Sequence, residues 1–239
     1  MRASRFVDEL GTAARAAALN VAEAAEVTAS HRGGLEEAAT TSDRVGAELL
    51  RQLTRETDDR PLERVSFDAE THGLEGSGSG PGFDIALSIG IDLPAYRANN
   101  CTLGTVIHAS ELPTGSGGPD PEALRSEIDT LLDRSPATYL FVVGDEEIRV
   151  LPARSVNGLT VPLTASAIET HVYGRSLRRF VEALAEGFLG VTSFDGQSRD
   201  GVALTDWGRE AGLDGVYRLQ VSREPERTES SLASFLEGD

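Results

Sequence analysis

Residues 82–93 read Gly-Phe-Asp-Ile-Ala-Leu-Ser-Ile-Gly-Ile-Asp-Leu, and the fold turns on this stretch. Phe83, Ile85, Leu87, Ile89, Ile91 and Leu93 occupy alternate positions, with Asp84, Ala86, Ser88, Gly90 and Asp92 between them. A period of two belongs to a β-strand, whose successive side chains point to opposite faces. All the large apolar side chains therefore point one way. The unbroken alternation predicts a strand at the centre of a sheet, flanked by strands at 64–72 and 102–111.

Upstream, 64–72 alternates Val65, Phe67 and Ala69 with polar neighbours, and the polar, glycine-rich 76–82 makes a loop. A helix at 43–54, capped by Ser42 or Asp43, carries the stripe Val45, Leu49, Leu50 and Leu53. A longer helix over 4–30 places Phe6, Leu10, Ala13, Ala14, Ala17 and Ala18 at helical spacing, and His31-Arg32-Gly33-Gly34 stops it. Downstream, Pro94-Ala95-Tyr96 turns the chain into the 102–111 strand, and 113–119 is a loop. Asp120 then caps a helix opened by Pro121 and ending near Arg134. The apolar run 137–143 reads as a buried strand, turned at 144–146 into a hairpin partner at 147–151. A helix over 175–189 follows, then a late strand at 216–221 and a charged, Ser-rich tail expected to be disordered.

Composition excludes several chemistries. All 22 basic residues are Arg, set against 39 Asp and Glu, for a formal charge of −17. Without Lys there is no P-loop phosphate cradle and no Schiff-base amine. Such a carboxylate excess self-repels in dilute buffer, whereas at ~1 M salt the Debye length of about 3 Å screens it. The chain reads as suited to a high-salt cytoplasm. Its single cysteine, Cys101, permits neither an internal disulfide nor a thiolate zinc cluster. His31, His72, His108 and His171 lack ligand spacing. No apolar run reaches membrane-spanning length and the N-terminus has no signal-peptide core, so a cytoplasmic location is expected. Arg175, Arg178 and Arg179 form the densest basic cluster; they could hold phosphate or form a solvated face paired to Glu182 and Glu186. Tyr96, Tyr139 and Tyr173 read as core or rim packing.

From 43 to 143 the order is helix, strand, strand, strand, helix, strand. That order, with the segments GFDIALSIGIDLPAYR (82–97), LDRSPATYLFVVGDEEIRVLPA (132–153) and YGRSLRRFVEALAEGFLG (173–190), resembles an uncharacterised prokaryotic branch of the restriction-endonuclease-like, or PD-(D/E)XK, superfamily. The resemblance covers roughly residues 40–190. It implies an αβββαβ core with a mixed sheet, an added N-terminal helix and a C-terminal helix and strand. It also implies an acid opening the second strand and Gln- or Glu-x-Lys on the third. In such a site the carboxylates bring a divalent cation to the scissile phosphate and the Lys stabilises developing charge.

Asp84 matches the first acid, although an Asp there also reads as a strand-end cap. The third strand departs from the pattern. One alignment puts Thr105 and Ile107 where the carboxamide and Lys belong; a one-residue slip puts Val106 and His108 there, and Glu111 faces the other way from His108. Neither restores acid-x-base, so the site reads as degenerate. Asp43 and Glu48 are the helix carboxylates that could join Asp84 on a metal; as surface carboxylates they need no such role. The chain thus divides into an N-terminal helix (1–34), a core domain (35–190), a C-terminal extension (191–222) and an acidic tail (223–239). The expectation is a catalytically impaired nuclease-fold scaffold associated with DNA or a protein partner, with no cofactor. The alternatives are a Mg²⁺-dependent DNA endonuclease using Asp84 and His108, or a non-catalytic protein-interaction module.

Overall fold

The alternation in 82–93 does form a strand, but both of its faces are covered. The computed structural model describes residues 3–30, 39–58, 65–74, 83–93, 101–109, 120–143, 148–190 and 201–223. In chain order the elements are α1 (Ala3–Ser30), α2 (Ala39–Asp58), β1 (Val65–Gly73), β2 (Phe83–Asp92), β3 (Cys101–Ala109), α3 (Pro121–Arg134), β4 (Thr138–Val143), β5 (Ile148–Pro152), α4 (Ala153–Asn157), α5 (Ala165–His171), β6 (Arg175–Ser176), α6 (Leu177–Ala185), α7 (Gly201–Glu210) and β7 (Gly215–Arg223). The chain is mixed α/β. The loops expected at 76–82, 94–96, 113–119 and 144–146, the stop at 31–34, Glu111 and nearly all of the tail lie outside the described residues.

The seven strands form one sheet in the order β1-β7-β2-β3-β4-β5-β6. This corrects the expected neighbours of the 82–93 strand. β3 does lie beside β2, antiparallel, but the other neighbour is β7, parallel to β2 and antiparallel to β1. The late strand expected at 216–221 is thus wedged between β1 and β2. A parallel pairing joins segments distant in sequence, and local periodicity carries no information about where such a strand inserts. β3 and β4 are parallel neighbours connected through α3.

Ile85, Leu87, Ile89 and Ile91 of β2 are buried in one cluster with Phe6 and Leu10 of α1, Leu49 and Leu53 of α2, and Phe180 and Leu184 of α6. Each such side chain withdrawn from water stabilises the fold by roughly 1.5–3 kcal/mol. On the opposite face Ala86 packs with Leu131 of α3, Leu204 of α7, and Leu213 and Val216. Farther along that face Leu140 and Leu151 meet Leu124, Ile128, Val156 and Ile168 from α3, α4 and α5. Helices therefore cover both faces, and small residues in β2 let the second layer approach. At Gly90 the neighbouring Gln220 amide fills the place a side chain would need.

Asp120 caps α3 through the Ala123 N–H at 3.2 Å, with Pro121 in the first turn, as the sequence predicts. The helix expected over 175–189 is shorter. Arg175 and Ser176 form the edge strand β6, and the Ser176 hydroxyl then caps α6 by accepting from the Arg179 N–H. Gly11 lets α1 and α6 cross closely around Glu182, whose carboxylate lies where a Cβ on residue 11 would stand. The buried Tyr217 hydroxyl is 3.0 Å from the Thr57 hydroxyl, which satisfies both. Among the described residues no helix is long and apolar enough to cross a membrane.

Candidate functional site

Asp84 lies at the start of β2, on the α3/α7 side of the sheet with Ala86 and Ser88. One backbone–backbone bond and one backbone–side-chain bond hold it to the turn before β7. The Asp84 N–H donates to Asp214 Oδ2 at 2.8 Å, and the Asp214 N–H donates to the Asp84 carbonyl at 2.7 Å. The Asp214 carbonyl in turn accepts from the Leu74 N–H at 2.9 Å. One aspartate thus ties the end of β1 to the starts of β2 and β7. Asp214 was not singled out from the sequence, and its only local signal is the turn dipeptide Asp214-Gly215.

The β2–β3 register places His108 directly opposite Asp84, with Val106 opposite Ala86 and Gly104 opposite Ser88. Directly opposed positions share a face of the sheet. Thr105 and Ile107 pair with Leu87 and Ile85, the two β2 residues turned to the α1/α2/α6 core. Of the two alignments left open by the sequence, the slipped one accompanies Asp84.

Glu48 does not join that corner. It belongs to α2, whose Leu49, Leu50 and Leu53 pack on the other side of the sheet. Its carboxylate accepts from Arg51 Nε at 2.8 Å and from Gln52 Nε2 at 2.5 Å, while Asn20 of α1 donates to Gln52 Oε1 at 3.1 Å. The Arg51 hydrogen bond holds the Glu48 pKa below its ordinary value. Asp43 falls in the first turns of the same helix. Among the described residues no group of three or more His, Cys, Asp and Glu could hold a metal ion.

The arginine cluster divides. Arg178 Nε and Arg179 Nη1 both donate to Glu182, at 2.7 and 2.9 Å, and Glu182 is only 7% exposed. Arg175 stands apart on β6, exposed, with its charge acting on the Tyr139 hydroxyl. Burial raises the Tyr139 pKa, against the opposing pull of Arg175 and a hydrogen bond to the Gly190 backbone. The Tyr139 ring meets Phe180 edge-on, with centroids 4.8 Å apart.

One neighbour of Arg175 departs from the sequence reading, and another was not singled out by it. Tyr173, taken with Tyr139 for core or rim packing, is 84% exposed. Arg149 of β5 lies over Gly174, where a Cβ would stand 3.4 Å from its Nε and 3.5 Å from its Nη2. Among the described residues neither Arg149 nor Arg175 has an ion-pair partner. Comparison of the chain with protein-family models, curated proteins and solved structures finds no match.

Proposed function

We propose that this chain is a catalytically impaired protein of the restriction-endonuclease-like type, acting as a scaffold associated with nucleic acid. The order α2-β1-β2-β3-α3-β4, the β2–β3 hairpin and the α3 crossover to β4 are consistent with an αβββαβ core. In this reading β7 is an added strand within the sheet.

The observation that carries the reading is the register of β3. The positions sharing Asp84's face there are Gly104, Val106 and His108, and none offers a carboxylate. With Val106 at the first position of the family's Gln/Glu-x-Lys, His108 occupies the place of the Lys. Mg²⁺ is strongly hydrated and wants carboxylates and phosphate oxygens in octahedral array. Asp84 with an imidazole opposite does not fit that demand, and one oxygen of Asp214 already accepts from the Asp84 amide. No metal-dependent step is therefore drawn through this corner. Loss of a charge-stabilising group at such a site typically costs on the order of 10²–10³ in rate.

The test is incubation of the purified chain with duplex and single-stranded DNA, with Mg²⁺ or Mn²⁺ in molar KCl. No cleavage is expected, with retention of nucleic acid in a binding assay. Cleavage by the wild type that disappears in both Asp84→Ala and His108→Ala would make the protein an endonuclease and overturn the reading.

A further inference from the structure

We draw no further inference here: the strongest candidate, the outer edge of the sheet at β1, where Asp68, Glu70 and His72 line one face of the strand, carries nothing because nothing in the structure shows what covers it.

Discussion

Helices α6 and α7 end by the same device and then diverge. Gly187 follows α6 at φ 78° and Gly212 follows α7 at φ 68°. The next residue bonds back five positions in each case, Phe188 N–H to the Ala183 carbonyl and Leu213 N–H to the Gly208 carbonyl, both at 2.9 Å. These are Schellman caps, in which the residue after the left-handed one normally finds an apolar seat. Leu213 does. It is fully buried with Val216, Leu204 and Ala86, and the chain then enters β7 through Asp214. Phe188 remains largely in water. The same backbone closes the core at one end of the sheet and displays a ring at the other. The difference lies in what packs above each cap.

The largest contrast should appear on truncation of those two residues. Leu213→Ala leaves a cavity between α7 and the sheet and should cost about 2–5 kcal/mol. Phe188→Ala removes a ring that is mostly solvated and should stay within about 0.5 kcal/mol. Thermal unfolding of both variants decides this, at roughly 2–4 °C per kcal/mol for a chain of this size. Equal losses would mean that Phe188 is seated after all and that the contrast is wrong.

A smaller effect separates the two aspartates at the β2–β7 junction. Asp214→Ala strips an acceptor from the Asp84 N–H and should cost about 1–3 kcal/mol. Asp84→Ala leaves both of the bonds described to Asp214 in place, because they use the Asp84 main chain. It should therefore lower the melting temperature less. A larger loss from Asp84→Ala would show that its carboxylate carries the corner.

What the sequence disclosed, and what it withheld, follows the same division between local and distant contacts. α1, α3, β2 and the β4–β5 hairpin were legible because each rests on periodicity or on a cap within a few residues, as with Asp120 and Pro121. The place of β7 was not, since its register with β2 joins Ile85 to Gly215 across most of the chain. Asp84 stood out as an acid opening a strand. Asp214, its actual neighbour, was invisible for the same reason as β7. The arginine triplet drew notice by density along the chain, yet two of its members close on Glu182. Arg149 and Arg175, which take no ion-pair partner among the described residues, come from adjacent strands and form no sequence cluster. Exposure of Tyr173 could not be read from its identity, because tyrosine serves equally in cores and on rims.

The smallest expected effect concerns Glu48 and tests whether it belongs to the Asp84 corner or to the α1–α2 contact. The structure joins it to Arg51, Gln52 and, through Gln52, Asn20. Arg51 is exposed, so the pair gives a direction rather than a large energy. The Arg51 hydrogen bond depresses the Glu48 pKa from its ordinary 4.5. A carboxylate depressed on folding stabilises the native state above its unfolded pKa, and that contribution is lost as pH falls through the folded value. Glu48→Gln should therefore be slightly less stable than wild type at neutral pH. The difference should shrink from pH 4.5 downward as the wild-type carboxylate is protonated. Parallel unfolding curves across an acid titration measure it. Addition of Mg²⁺ at neutral pH should leave the difference between the two proteins unchanged, because Glu48 and Asp84 serve opposite sides of the sheet. A Mg²⁺-dependent stabilisation present in wild type and absent from Glu48→Gln would bring the helix carboxylate back to the corner.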